Sequence, residues 1–314
     1  MKTKTINSVI SKKIDEWVYS ITDERVRGLV QENTIVTGGC IASMLLKEEV
    51  NDFDVYFKNK ETVVAVAEYY VNQFKQVASH KHKYGGDILI EVREDDDRVK
   101  IFIKSAGIAG EKGESDYQYF EGRPDQEGED YINNVAEVLD KTDVDLPEIA
   151  DKKYRPLFLS ANAITLSDKI QIVIRFYGDP DTIHQHYDYV HCTSYWTSWE
   201  MKLVLKQAAL EALLSKELVY VGSKYPLCSI IRTRKFIKRG WCINAGQYLK
   251  MCFQLSKLDL SNVDVLEDQL TGVDAAYFAQ LIDGLRQHTE KEKSEGKEFK
   301  IEYGYLAAII DKIF

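Results

Sequence analysis

The feature that most constrains this chain is the stretch from Thr34 to Phe57. Thr34-Ile35-Val36-Thr37 is a short β-rich run that ends in Gly38-Gly39. Residues 40–48 have a helical pattern, and Asp-Phe-Asp-Val-Tyr-Phe at 52–57 suits a strand. The order is strand, glycine turn, helix, strand, with twelve residues between Gly39 and Asp52. Glycines let a backbone approach a ligand closely. A helix opening near Cys40 points its free N–H groups at an anion. Asp52 and Asp54 lie two apart on a strand, so their side chains share one face. Adjacent carboxylates repel unless a cation sits between them. The combination predicts a triphosphate over Mg²⁺ held by oxygen ligands.

The rest of the chain sorts around this stretch. Ile6, Val9, Ile10, Ile14 and Val18 form one face of a first helix, and Thr22 or Asp23 caps a second that runs to about Gln31. Residues 61–77 have helix spacing through Val63, Val66, Tyr70 and Phe74. Alternating runs at 88–92 and 99–103 predict a hairpin; 156–166 and 170–176 predict another, and 186–192 a further strand. From about residue 198 to Phe314 the pattern is helical. The expected architecture is a mixed α/β core over 1–217 followed by an all-helical domain over 218–314. Residues 111–151 hold fourteen acids against three bases and interrupt the core as an acidic insertion, with one short helix near 131–140.

The net charge of −9 hides this unevenness, because residues 218–258 carry eight Lys or Arg and no acid. An acidic whole therefore does not exclude a polyanionic ligand. On the helix expected at 227–239, Arg232, Lys235 and Arg239 share one side, while Leu227, Ile230, Ile237 and Trp241 share the other. Arg234 and Lys238 fall near the apolar stripe, where a charge needs a partner or must reach out to water. Five cysteines, an odd number with no C-x-x-C, argue against a disulfide framework and a zinc ribbon and for a reducing, cytoplasmic setting. No apolar run is long enough to span a bilayer, and the first residues lack the apolar core of a signal peptide. His80-x-His82 and His184-x-His186 find no third and fourth ligand to complete a tetrahedral site, so they read as solvated or hydrogen-bonded.

The glycine pair followed by alternating acids resembles the signature of the DNA polymerase β-like nucleotidyltransferase superfamily. Within it, the chain is similar to the head of class II CCA-adding enzymes and bacterial poly(A) polymerases. Their GG-x-V-R-D-x-L-L then D-x-D is matched by Gly38-Gly39-Cys40-Ile41-Ala42-Ser43-Met44-Leu45-Leu46, then Asp52 and Asp54. Their R-R-D-F-T-x-N-A is similar to Tyr187-Asp188-Tyr189-Val190-His191-Cys192, which makes Asp188 the third carboxylate, with Asp181 its rival. Their L-R-x-x-R-F-x-x-R-x-G-F is similar to the run Ile231 to Trp241.

The resemblance implies metal-dependent transfer of a nucleotidyl group from an NTP to an acceptor hydroxyl on an RNA 3′ end or tRNA. Asp52, Asp54 and Asp188 would hold two Mg²⁺ ions. Gly38, Gly39 and Ser43 would lie near the triphosphate, and Arg232, Lys235 and Arg239 would neutralise the nucleotide or the RNA end. The chain departs from the pattern in two places. Ala42-Ser43 stands for the Arg-Asp after the glycines, and His186-Tyr187 stands for the two arginines before the third acid. Two further readings are an inactive nucleotide- or nucleic-acid-binding module and a nucleotidylating toxin or defence enzyme acting on tRNA or protein.

Overall fold

The computed structural model describes residues 1–76, 89–94, 98–104, 153–160 and 162–260, together with 262, 265, 266 and 269. The acidic segment 111–151, with its expected helix, and His80 and His82 lie outside these residues. The described residues fall into two compact units. The first runs to residue 185 and takes up 191–213, and the second holds 186–190 and the chain from 214 onward.

The first unit opens with helices α1 (Thr3–Ser20) and α2 (Glu24–Asn33). Asp23 starts α2 by accepting from the Val26 N–H at 3.0 Å, which satisfies one of the helix's free donors. Strand β1 (Thr34–Thr37), helix α3 (Gly39–Leu46), strand β2 (Phe53–Phe57) and helix α4 (Lys60–Gln76) follow in the order expected. Strands β3 (Leu89–Glu94) and β4 (Val99–Lys104) pair as an antiparallel hairpin. Strands β5 (Pro156–Leu159), β6 (Ala163–Leu166) and β7 (Ile170–Tyr177) form an antiparallel meander, followed by the short helix α5 (Pro180–His184). Strands β8 (Tyr195–Thr197) and β9 (Lys202–Val204) and helix α6 (Gln207–Ser215) complete the series.

Seven strands form one mixed sheet in the order β5-β6-β7-β2-β1-β8-β9. β2 is central, antiparallel to β1 and parallel to β7. Its two faces differ because side chains alternate along each strand. Val36, Val55, Ile164, Ile172, Trp196 and Leu203 all point to one face, where they join Ile10, Ile14, Trp17, Val66 and Tyr70 of α1 and α4 in a single core. Helix α4 lies against β2, β5 and β7 on that face. Within the core the Trp17 indole donates to the Tyr70 hydroxyl at 2.7 Å, so a large buried ring keeps its N–H satisfied.

The structure corrects four expectations. Residues 156–166 are two strands, because the Ser160 hydroxyl accepts from the N–H groups of Asn162 and Ala163 and turns the chain. Residues 186–192 are not a strand: Tyr189 makes an isolated bridge to Tyr220, and Val190–Cys192 is one turn of 3-10 helix. The helical run begins after β9 rather than at 198, since the short β8–β9 hairpin extends the sheet. The fourth concerns the second unit, where helices α7 (Pro226–Lys238) and α8 (Ala245–Leu255) lie. The buried side of α7 is Leu227, Cys228, Ser229, Ile231 and Thr233, while Ile237 is exposed. The Tyr189 hydroxyl turns α7 this way, bonding the Ser229 carbonyl at 2.9 Å and the Thr233 hydroxyl. Arg234 and Lys238 are consequently exposed, and neither charge is buried. No helix among the described residues is long and apolar enough to cross a membrane.

Tyr70→Phe keeps the ring and removes the acceptor for the Trp17 N–H. Leaving that buried donor unsatisfied should cost about 1–3 kcal/mol. Urea unfolding should show a lowered midpoint with an unchanged slope.

Candidate functional site

The face of the sheet opposite the core carries a row of side chains set by strand register. Asp54 of β2 pairs with Thr37 of β1 on one side and with Gln171 of β7 on the other. Beyond Thr37 the row continues to Tyr195, and beyond Gln171 to Thr165. These are polar residues on five adjacent strands, and all but Thr37 are half-buried.

Asp52 and Asp54 converge as period-two alternation requires. The Gln171 amide, with Nε2 turned toward them, donates to Asp52 Oδ2 at 3.0 Å and to Asp54 Oδ1 at 3.3 Å. Both carboxylates also act on the start of α3. Burial pushes the Cys40 thiol well up from its ordinary pKa, and the negative charges of Asp54 and Asp52 push it further. The sequence predicted the acids but not Gln171. The available signal was a lone amide in Ile170-Gln171-Ile172-Val173-Ile174, on the face opposite the isoleucines.

The glycine turn sits beside this pair. Gly38 has φ 90° and ψ −151°, a conformation that a side chain resists, and its N–H donates to the Cys192 carbonyl at 3.2 Å. The N-cap residue of α3 is Gly38, which has no side chain to cap it. A Cβ built on Gly39 would meet nothing within 4 Å, so the opening of the helix has space before it. Ser43 is half-buried one turn further along α3.

Thr37 links the row to a second polar group. Its hydroxyl donates to the Ser194 carbonyl at 2.9 Å and lies 2.8 Å from His184 Nε2. With the hydroxyl proton directed to Ser194, His184 Nε2–H is the donor to Thr37. His184 Nδ1 is then an acceptor, and the Lys206 ammonium reaches it at 3.3 Å. Lys206 also pairs with Asp181 at 2.6 Å. Burial lowers the His184 pKa from 6.5 to about 4, and the charge of Lys206 acts in the same direction against the opposing pull of Asp181. His184 is therefore hydrogen-bonded and neutral. Asp181 serves as the partner of Lys206, and sequence spacing carried no signal for that pairing.

The remaining sequence-predicted residues lie in the second unit. Asp188 is buried, and its Oδ2 accepts from Arg232 Nη1 at 2.9 Å. Lys235 is half-buried on α7, and Arg239 is exposed at the end of that helix. The structure thus gathers Gly38, Gly39, Asp52 and Asp54 in the first unit and pairs Asp188 with Arg232 in the second.

The residues present fit a hard divalent cation. Two carboxylates within reach of one donor nitrogen form an oxygen-only set, the kind that binds Mg²⁺ together with waters and substrate phosphates. No group of three or more His, Cys, Asp or Glu side chains suited to a metal occurs among the described residues.

Comparison with known proteins places the chain. The sequence profile of the Gabija anti-defense 2 family matches residues 8–216. The chain belongs to the Gabija anti-defense 2 family. Among solved structures, this family member is similar to a Thermotoga maritima CCA-adding enzyme complexed with tRNA, at 12% identity and a TM-score of 0.36. It is also similar to a CCA-adding enzyme in complex with CTP, at 11% identity and a TM-score of 0.37. Each comparison covers 82% of this chain, and the chain spans only 50% and 48% of those two enzymes. No curated protein matches the sequence.

Two predictions follow from this geometry. Gly38→Ala should cost about 1–3 kcal/mol, because it forces a side chain into backbone space reserved for glycine; the urea midpoint measures it. His184 titrates at about 4 in the fold against 6.5 when unperturbed, so the unfolded chain takes up the proton first. Stability is then fully present above pH 6.5 and is lost as pH falls toward 4. His184→Gln should flatten that part of the stability–pH curve, read from melts at half-unit pH steps.

Proposed function

We propose that this chain is a metal-dependent nucleotidyltransferase, moving a nucleotidyl group from an NTP to an acceptor hydroxyl on an RNA 3′ end or tRNA. The observation that carries the reading is the convergence of Asp52 and Asp54 on one donor beside the Gly38-Gly39 opening of α3. The resemblance of the glycine–acid stretch to the polymerase β-like signature supports it.

In this reading the acceptor oxygen bonds to the α-phosphorus as the bond to the bridging oxygen breaks and pyrophosphate leaves. Asp52 and Asp54 would hold Mg²⁺, with two ions expected. Bound there, Mg²⁺ offsets phosphate charge and lowers the pKa of the acceptor hydroxyl. The Gly38-Gly39 backbone and the first turn of α3 would lie along the phosphates, where exposed N–H groups and the helix dipole favour anions. Ser43 would follow on the same helix. Arg232, Lys235 and Arg239 would offset charge on the nucleotide or the RNA end, and Asp188 would supply a further carboxylate to the metal.

The family name adds a setting in which such a reaction acts against a defence system called Gabija. A second reading, a binding module without turnover, is favoured by Asp188, which is already ion-paired with Arg232. That pairing competes with a role in metal binding.

Single-turnover NTP incorporation with Mg²⁺, run beside equilibrium NTP binding, separates the two. Asp54→Asn should lower turnover by about 10² or more, as other losses of electrostatic transition-state stabilisation do, while NTP binding changes little. Asp188→Asn should match that loss if it serves the metal. A fall in melting temperature with full turnover would assign it to the Arg232 pair alone. Arg239→Ala should weaken acceptor binding, with a reduced dependence on salt. A wild-type protein that binds NTP and transfers it to no acceptor pool, with Asp54→Asn indistinguishable, leaves the binding-module reading.

A further inference from the structure

Gln171 has no counterpart among the residues expected from sequence, yet it touches both acids. It stands beside Asp54 in the parallel pairing of β7 with β2, on the sheet face away from the core. Its neighbours Ile170 and Ile172 are fully buried in that core, so the backbone position is fixed. A Gln side chain has two N–H donors and one carbonyl acceptor on a terminus that turns by a single bond rotation. Its amide end lies against Asp52 and Asp54, and with Nε2 turned toward them it donates to both, at 3.0 and 3.3 Å.

We propose that Gln171 is a ligand-bearing side chain of this centre beside Asp52 and Asp54, working in two orientations. This rests on the reading that Asp52 and Asp54 hold a divalent cation. Without the cation, the amide N–H groups lie between the two carboxylates and offset their mutual repulsion. With the cation present, the same N–H groups would face a positive charge, so the amide turns and its Oε1 joins the oxygen set. Oε1 is a hard neutral donor, which is the chemistry Mg²⁺ and Mn²⁺ take. A neutral ligand also matters for what binds next. An amide adds a ligand oxygen without adding negative charge, whereas a carboxylate in the same position would add a further negative charge facing a polyphosphate. Gln171 therefore favours an anionic ligand on the ion at the expense of some metal affinity.

The test uses the full chain, metal-free and without nucleotide, titrated with Mn²⁺ and followed by the electron paramagnetic resonance of the free ion. Melting temperature is read with and without Mn²⁺. Gln171→Leu removes both roles, so Mn²⁺ affinity should fall about tenfold, the low end for losses of groups supporting a metal site. Its metal-free melting temperature at pH 7 should also fall. Gln171→Glu supplies a third carboxylate, so it should melt lower than wild type without metal and bind Mn²⁺ about tenfold tighter or more. Gln171→Asn, which retracts the amide, should fall between wild type and Gln171→Leu and covers the case in which the leucine variant does not fold. If the amide served only as a donor, the ion would have to displace it, and Gln171→Leu and Gln171→Asn would bind Mn²⁺ as tightly as wild type or more so. That result overturns the proposal, as does a wild-type protein that takes up no Mn²⁺.

Asp54→Asn keeps the two claims apart. If it loses Mn²⁺ while the Gln171 variants do not, the role of Gln171 falls and the metal-binding carboxylates stand. If it binds Mn²⁺ like wild type, the ion is held elsewhere, and both claims fail. Because the titration contains no nucleotide, a failure of nucleotidyl transfer by itself leaves the ligand assignment in place.

Discussion

Two carboxylates at the start of the central strand, Asp52 just before β2 and Asp54 within it, are the constraint around which the first unit is organised. Like charges at this separation raise the energy of the folded chain unless something positive lies between them or a dipole is turned toward them. β2 is the middle strand of seven, and Asp54 within it is held by pairing on both sides. Relief has to come from the neighbours, and the register supplies it. Gln171 on one side offers N–H groups to both acids, and on the other side the opening turn of α3 lies close enough for both charges to act on Cys40. A helix N-terminus carries partial positive charge and stabilises nearby anions, so the strand–turn–helix order contributes on its own account.

The sheet can tolerate this because its faces divide the work. One face holds Val36, Val55, Ile164, Ile172 and Trp196 against α1 and α4, and that burial stabilises the unit. The other face is thereby released from packing duty and keeps its polar row. The same alternation that sends Ile170 and Ile172 into the core forces Gln171 out beside Asp54. A one-residue slip of β7 against β2 would bury the amide and expose isoleucine, so the hydrophobic pattern also fixes the geometry of the acids.

The parts of this arrangement that were legible in sequence are those that depend on local rules. Period-two alternation put Asp52 and Asp54 on one face, Gly38-Gly39 marked the turn, and Asp23 marked the start of α2. The parts that were not legible depend on contacts distant in sequence. Gln171 meets Asp54 only because β7 pairs in parallel with β2, after a crossover of more than a hundred residues that no local pattern encodes. His184 meets Thr37, and Asp181 meets Lys206, for the same kind of reason. The face of α7 was misjudged differently. Helical periodicity ranked Ile237 as core, but the Tyr189 hydroxyl draws Ser229 and Thr233 inward and turns the isoleucine out. A buried hydroxyl that needs partners can redirect an amphipathic helix, because an unsatisfied polar group costs as much as a lost apolar contact.

The charges next to the acids are balanced with some economy. Thr37, directly across from Asp54, is held by His184, and His184 stays neutral because burial and Lys206 both oppose its protonation. Lys206, the cation that keeps His184 neutral, is itself paired with Asp181. The carboxylates of Asp52 and Asp54 in turn face the amide dipole of Gln171. A neutral amide beside the two carboxylates lessens their repulsion without adding a charge that would itself need a partner.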